Sequence, residues 1–149
     1  KVLKKYYLGE HSIFYACEKV ELGIEPTPIR RYNEYKKVYL DFIDYHKELI
    51  ENLNKKMSDF QGEIYLFGAH IFSQFLLHFG LNRSKIVSIL DNSEIKKGQR
   101  LYGSNLHVQN PETIRGKERV AVILKVGTYR EEVLKQLREI NENVVIFEK

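Results

Sequence analysis

The sequence predicts an α/β fold, in which helices cover both faces of a parallel sheet. Short runs rich in β-branched and aromatic residues alternate with amphipathic stretches through residues 60–149, and glycines or helix-capping residues separate them. Parallel strands need crossover connections, which are usually helices, and burial on both faces makes such strands almost continuously apolar. Right-handed crossovers then leave few topologies for this part of the chain.

Each apolar run in this region is predicted to be a strand, at 63–67, 86–90, 120–126 and 144–147, with a brief extended piece at 106–108. Helices are predicted between these strands, at 70–78 and from Thr128 to about residue 140. A short helix is also predicted to begin at Asn110. Thr128 and Glu131 have the spacing of a capping box for the last helix. The segments 63–67 and 120–126 are expected to lie side by side in the centre, as in Rossmann-like sheets.

Residues 1–59 are predicted to form a helical N-terminal segment that precedes the sheet. They hold seven of the ten tyrosines, and one long helix is expected over about 33–58, because its apolar residues recur at spacings of three and four. Pro26 and Pro28 disfavour helix just before it. The chain starts at Lys1 rather than Met, so we expect this segment to be the tail of a preceding domain.

Composition narrows the classes of function. Net charge is +4, spread along the chain, whereas nucleic-acid-binding domains usually concentrate basic residues, so no nucleic-acid partner is expected. No apolar run approaches the roughly 18–20 residues of a membrane helix, so no membrane partner is expected either. The single cysteine, Cys17, is predicted to be a small buried residue in a cytoplasmic protein. The five histidines show no zinc-like spacing, so no metal site is predicted.

A ligand crevice is expected where the carboxyl ends of 63–67 and 120–126 meet, because ligands of such sheets bind at the topological switch point. Gly68 turns the chain there, but only the first glycine of a dinucleotide fingerprint is present. His70 stands where a pyrophosphate would approach the backbone, which argues against ordinary NAD binding. The helix after the turn still offers amides to an anion; alternatively, Gly68 merely turns the chain.

Asp91 and Lys96 have two interpretations each. Asp91 follows the strand 86–90 and could accept hydrogen bonds from a ribose or a base, or it could cap the turn through Ser93. Lys96 could neutralise a phosphate, or it could simply be solvated.

Several short motifs occur in one order along the chain. Phe67-Gly68-Ala69 is followed by Asp91, Lys96 and Gly98, then by Gly103-Ser104, by Pro111-Glu112 and by Tyr129 with Glu132. In order and spacing they resemble the carboxyl-terminal domain of S-adenosylmethionine-dependent sugar C-methyltransferases. Those transferases act on nucleotide-linked deoxysugars in antibiotic and surface-polysaccharide biosynthesis. Tyr102 replaces a proline of the family, and no glycine-rich motif for S-adenosylmethionine is present in the sequence.

The resemblance implies that residues 60–149 are a nucleotide-sugar-binding domain and that residues 1–59 are the tail of a methyltransferase domain. The implied substrate-binding residues are Gly68, Ala69, His70, Asp91, Lys96, Gly127 and Tyr129. S-adenosylmethionine is then expected in the full-length protein and no cofactor for this chain alone. The expected partners are a nucleoside-diphosphate sugar and the N-terminal methyltransferase domain.

Glu10-His11, followed by Phe14 and Tyr15, resembles a pair that assists proton removal from the sugar in this family. Methylation at carbon needs a carbanion or an enolate, and a histidine with a pKa near 6.5 is suited to take the proton. Tyr7 could hydrogen-bond the developing enolate. The catalytic candidates are therefore Glu10, His11 and Tyr7, although a solvent-facing Glu-His pair is the alternative.

Two other classes of function stay open. A non-catalytic Rossmann-like module could bind a nucleotide or form a homodimer, because the apolar sector of the helix 33–58 is wide enough to contact a second chain. A degenerate NAD-dependent sugar oxidoreductase is the third hypothesis.

Overall fold

The computed structural model describes residues 1–8, 12–19 and 30–148. The chain divides into two compact units, Lys1–Glu34 and Tyr35–Lys149. The division expected between residues 59 and 60 stays a prediction about domain organisation. None of the helices in the described ranges combines the length and the apolar character that crossing a membrane requires.

The first unit contains an antiparallel pair of strands, β1 (Val2–Leu8) and β2 (Ser12–Cys17). The prediction that residues 1–59 form a helical segment is not confirmed for its first part, since strands come first. Aromatic and β-branched residues favour strands, and their cross-strand pairs stabilise them: Lys5 lies opposite Tyr15, and Tyr7 opposite Ile13. Cys17 is exposed rather than buried, as are Ile13, Phe14 and Tyr15 of the same strand.

Helix α1 spans Tyr32–Asp59, 28 residues, close to the range expected. Its second half packs into the core through His46, Leu49, Ile50, Leu53 and Met57. The same apolar stripe continues into the first half, where Tyr35, Tyr39 and Phe42 are 46–62% exposed. The helical spacing thus indicates one continuous apolar face, but only the second half of that face is buried in the core.

The second unit contains a five-stranded parallel sheet in the order β5-β4-β3-β6-β7. Its strands are β3 (Glu63–Phe67), β4 (Ile86–Leu90), β5 (Val108–Gln109), β6 (Val120–Leu124) and β7 (Val145–Phe147). The expected central pair is confirmed, because β3 and β6 are neighbours in register, with Glu63 opposite Val120 and Phe67 opposite Leu124. Chain order reverses between these two strands, so the topological switch point lies at their carboxyl ends.

Helices cover both faces of this sheet, as the sequence predicts. Alternate strand residues point to opposite faces: Leu66 and Ile123 join the core shared with α1 and α2 (Ile71–His78), while Tyr65 and Val122 join the core shared with α3 (Arg130–Ile140). Short 3-10 turns at Arg83–Lys85 and Pro111–Ile114 complete the connections.

The predicted capping box of the last helix is wrong. Tyr129, not Thr128, is the N-cap residue of α3, and its side chain makes no capping hydrogen bond. The carboxylate of Glu131 pairs with the guanidinium of Arg130 instead of reaching back to the preceding turn. Glu131 and Glu132 still place negative charge in the first turn, where it interacts favourably with the helix dipole.

Candidate functional site

The turn after β3 depends on a glycine. Gly68 has φ of +97°, a conformation that side chains other than hydrogen disfavour. Its amide donates to the carbonyl of Leu90 at 2.7 Å, which extends the pairing of β3 with β4. A β carbon at this position would lie 2.1 Å from Nε2 of His70. Gly68 is therefore required by its backbone conformation and by the neighbouring imidazole.

His70 caps the N-terminus of α2. Its Nδ1 accepts a hydrogen bond from the amide of Phe72 at 3.3 Å, so the neutral ring carries its proton on Nε2. Burial lowers the pKa of His70, the Lys96 ammonium lowers it further, and the Asp91 carboxylate opposes both. The imidazole is thus neutral near pH 7, and it occupies the place beside Gly68 where a phosphate would approach the backbone.

Asp91 fastens the end of β4 to the turn after β3. Its carboxylate accepts hydrogen bonds from the amides of Ala69 at 2.7 Å and Ser93 at 2.9 Å, and from Nζ of Lys96 at 3.1 Å. Burial by itself raises the pKa of Asp91, but the two amides and the Lys96 ammonium together hold it below its ordinary value. Because the side chain is only 11% exposed, most of its acceptor capacity is used within the protein.

Lys96 is the member of this group best placed to meet a ligand. Its side chain is 43% exposed, and an ammonium has three donors, of which one is directed at Asp91. The carboxyl end of the sheet therefore presents a positive charge that Asp91 orients. An anion or a hydroxyl-rich molecule is the ligand that such a group attracts.

Ser73 supports the turn from below, and the sequence interpretation missed it. The side chain is fully buried, and its Oγ donates to the carbonyl of Gly68 at 2.5 Å. This bond and the Asp91–Ala69 bond both hold the turn. A serine in the first turn of a helix that follows a glycine turn is the sequence signal that could have indicated it.

Gly127 and Tyr129 follow β6 on the other side of the switch point. Space beside Gly127 is open, with no atom within 4 Å of an added β carbon. The Tyr129 ring is 69% exposed. In the described part of the chain, neither residue hydrogen-bonds to Asp91 or Lys96, so the contacts that join Gly68, Ala69, His70, Asp91 and Lys96 do not include these two.

Lys125 is a second cation at the carboxyl end of the sheet, and the sequence analysis does not predict it. Nζ of Lys125, just after β6, donates to the hydroxyl of Tyr45 at 3.3 Å and lies 5.2 Å from the centre of its ring. A cavity of about 400 Å³ opens beside it. Its lining residues are Leu49, Leu53, Leu124, Lys125, Val126, Arg130, Phe147 and Glu148.

Of the three predicted catalytic residues, the structure describes only Tyr7. Glu10 and His11 come between β1 and β2 in the sequence and lie outside the described residues. Tyr7 is 67% exposed on β1, and Nζ of Lys5 lies 4.7 Å from the centre of its ring. A hydrogen bond with Tyr7 raises the pKa of Lys5. The hydroxyl of Tyr7 thus has a cation beside it.

Among residues 1–8, 12–19 and 30–148, no group of histidine, cysteine or acidic residues is arranged to hold a metal ion. No curated protein and no solved structure matches the chain. The family model of the C-methyltransferase C-terminal domain matches residues 18–147, which include α1, the complete parallel sheet and the Asp91–Lys96 group. This chain therefore belongs to the family of C-methyltransferase C-terminal domains.

Proposed function

We propose that this chain is the substrate-binding part of an S-adenosylmethionine-dependent methyltransferase that acts on nucleotide-linked sugars. The observation that carries the proposal is the family match over residues 18–147. The group at the carboxyl end of the sheet supports it, because an oriented ammonium beside a neutral imidazole suits a ligand with phosphates and hydroxyls. Surface-polysaccharide biosynthesis in the cytoplasm is the setting that we propose for such a sugar.

Lys96 is proposed to bind an oxygen of the sugar or of the phosphate attached to it, and Nε2–H of His70 to donate to a sugar oxygen. Asp91 acts on the substrate indirectly, since it holds both the Lys96 ammonium and the turn that carries His70. Gly127 and Tyr129 are proposed to contact the sugar from the β6 side, where space is open.

The turn at Gly68 does not fit S-adenosylmethionine. A cofactor that approaches this turn meets the ring of His70, which lies against the glycine. We therefore propose that a methyltransferase domain elsewhere in the protein holds the cofactor, which supplies the methyl group, and that this chain holds the acceptor.

Glu10 and His11 are proposed to remove a proton from the sugar carbon that is methylated. A carbon next to a carbonyl loses its proton to a base that is neutral near pH 7, and the resulting enolate is stabilised by hydrogen-bond donors. Tyr7 is the proposed donor, and the nearby Lys5 ammonium strengthens it. The electron pair of the C–H bond moves into the enolate, and the proton goes to His11.

Titration calorimetry with a panel of nucleoside-diphosphate sugars tests the binding role. At least one sugar nucleotide is expected to bind, and Lys96→Gln to weaken it by about tenfold, the loss of one charge-assisted hydrogen bond. Lys97→Gln is the matched control, since Lys97 is the next residue and its ammonium lies near Glu94. Absence of heat with every sugar nucleotide would contradict the proposal.

Proton removal is measurable without methylation. In D₂O, NMR is expected to show exchange of the C–H proton beside the carbonyl of a bound nucleoside-diphosphate keto-sugar. The variant His11→Ala should abolish this exchange and Tyr7→Phe should slow it. Exchange at the wild-type rate in His11→Ala would exclude His11 as the base.

A homodimerising, non-catalytic module is the second candidate function, and the exposed half of α1 favours it. Tyr39 and Phe42 continue the face that is buried in the second half of the helix. Sedimentation would detect a dimer that Phe42→Asp dissociates. A monomer at all concentrations would exclude this candidate.

A further inference from the structure

A groove lies between α2 and the loop 100–105, and neither Asp91 nor Lys96 lines it. Two adjoining cavities of about 670 and 440 Å³ form it, and they share Arg83, Tyr102, Gly103 and Ser104. We call it the α2 groove. Ile71, at one end of it, directly follows His70 in the chain, so the groove begins next to the carboxyl end of the sheet.

The loop that presents Tyr102 is held in place at both ends. Leu101 and Leu106 are buried in the core, and the amide of Leu101 donates to the carbonyl of Leu106 at 2.9 Å. Within the loop, the Ser104 hydroxyl donates to the carbonyl of Leu101 at 3.1 Å. Tyr102 itself is 85% exposed. The anchored loop fixes the backbone that carries this ring, and a fixed backbone reduces the entropy cost of binding.

The other wall of the α2 groove is also apolar. Ile71 and Phe75 lie on the outer surface of α2, where they are 52% and 37% exposed. An exposed aromatic residue alone needs no explanation, but several apolar side chains around one cavity are typical of a ligand site. Flat aromatic surfaces of this kind stack on the planar rings of nucleobases.

The charges that line the α2 groove are positive. Arg83 and Arg100 line it together with His78, and no acidic residue is among the described residues that do so. Within the described ranges, neither arginine pairs with a carboxylate. Other cavities of this unit differ, since one contains Glu148 and another contains Glu118, Glu139 and Glu142. Unpaired guanidinium groups are well suited to phosphate, which they bind through two hydrogen bonds.

We propose that the α2 groove binds a nucleoside diphosphate, with the base stacked on Tyr102 and the diphosphate contacting Arg83 and Arg100. The choice of this ligand rests on the proposed function, in which a nucleotide carries the sugar. The nucleotide is then anchored in the groove, and its sugar extends past Ile71 toward His70 and Lys96. An arrangement of this kind separates recognition of the nucleotide from recognition of the sugar.

Titration calorimetry of the full chain with uridine, thymidine and guanosine diphosphates tests the groove. At least one of them is expected to bind, and inorganic pyrophosphate to bind more weakly. Tyr102→Ala should weaken the nucleotide by about tenfold, as expected for one lost stacking contact, and leave pyrophosphate unchanged. Arg83→Gln and Arg100→Gln should each weaken both ligands by about tenfold. Arg138→Gln, an exposed arginine on α3, is the control of equal charge change.

The outcomes separate this inference from the proposed function. If all three groove variants bind the nucleotide as the wild type does, the groove is not the site, while weakening of a sugar nucleotide by Lys96→Gln would still support the function. If the groove variants bind the nucleotide more weakly but no sugar nucleotide exchanges its C–H proton, the inference about the groove is supported and the proposed function is contradicted. Failure of all three nucleoside diphosphates to bind overturns the inference about the groove, whereas the proposed function fails only if no sugar nucleotide binds. Circular dichroism of each variant verifies that it is folded.

Discussion

The imidazole of His70 lies against the α carbon of Gly68, so that a β carbon on Gly68 would be 2.1 Å from Nε2. The absence of a side chain on Gly68 leaves room for the imidazole. The imidazole in turn covers the backbone that a dinucleotide-binding turn would expose. Ligand binding at the carboxyl end of this sheet therefore depends on side-chain charge rather than on a glycine cradle. Lys96 is the side chain that provides it.

Gly68→Ala should destabilise the domain more than the same change at another glycine with positive φ. The left-handed conformation costs about 1–2 kcal/mol for alanine, and displacement of the His70 cap adds about 1 kcal/mol. Gly98→Ala carries only the first cost, since its φ is +78° but no atom lies within 4 Å of the added carbon. Urea denaturation measures both. In a His70→Ala background the difference between the two glycines should disappear, and a difference that persists would show that the imidazole is not its cause.

Asp91→Asn should lower the free energy of unfolding by about 1–3 kcal/mol at pH 7, because a buried acceptor loses its charge while its donors stay in place. The folded-state pKa of Asp91 is lowered, so its contribution is complete above the unfolded-state pKa, near 3.8. It is lost as the pH falls through the lower folded-state pKa. The difference between wild type and variant should therefore shrink in acid. A difference that is equal at pH 7 and pH 2 would contradict this assignment.

The titration of His70 by NMR should have its midpoint below 6.5, because burial and the Lys96 ammonium lower the pKa of this ring. Lys96→Met should raise the midpoint toward its ordinary value, since it removes the cation. Asp91→Asn should lower the midpoint further, since the opposing carboxylate is lost. Shifts of the same sign in both variants would exclude direct electrostatic coupling.

The two halves of α1 should respond differently to truncation. Leu53→Ala is expected to cost about 2–5 kcal/mol, because the side chain is 2% exposed in the core and its removal leaves a cavity. Tyr39 lies on the same face of the helix, but its side chain is 62% exposed. Tyr39→Ala should therefore change the free energy of unfolding by about 0.5 kcal/mol or less. Thermal unfolding compares them at low protein concentration. A large loss at Tyr39 would show that its side of the helix is covered in solution.

Much of the fold could be predicted from the sequence, because buried parallel strands are marked by their own composition. Strand β4 has the predicted bounds, Ile86–Leu90, and β6, Val120–Leu124, lies within the predicted range 120–126. The central position of β3 and β6 follows from the crossover rules. The sequence analysis does not predict the antiparallel pair of β1 and β2, because it assigns residues 1–59 to a mainly helical segment. Tyrosine favours strands over helices, but the pairing of two strands is a contact between separate parts of the chain, which local spacing does not indicate.

The binding roles predicted for Gly68, Asp91 and Lys96 stay predictions, but the alternative that Asp91 caps a turn through Ser93 agrees with the structure. The Asp91 carboxylate also accepts hydrogen bonds from the amide of Ala69, which follows Gly68, and from Lys96. Ser73 and Lys125 were not predicted, because a buried serine and a lysine at a strand end look like ordinary residues until their partners are known. Tyr102 was noted only as a departure from the family, and the structure places it over a groove.

The sequence by itself determined the α/β class, the central strands and the family, since these depend on periodicity and on motifs that are local in the chain. Tertiary structure alone decided that Asp91 binds an amide 22 residues before it, that His70 closes the glycine turn, and that α2 and the loop 100–105 enclose a groove. These relationships come from packing, which brings together residues distant in the chain and determines the partners of each polar group. For that reason, the charge at Lys96 and the ring at Tyr102 acquire their proposed roles only in the folded protein.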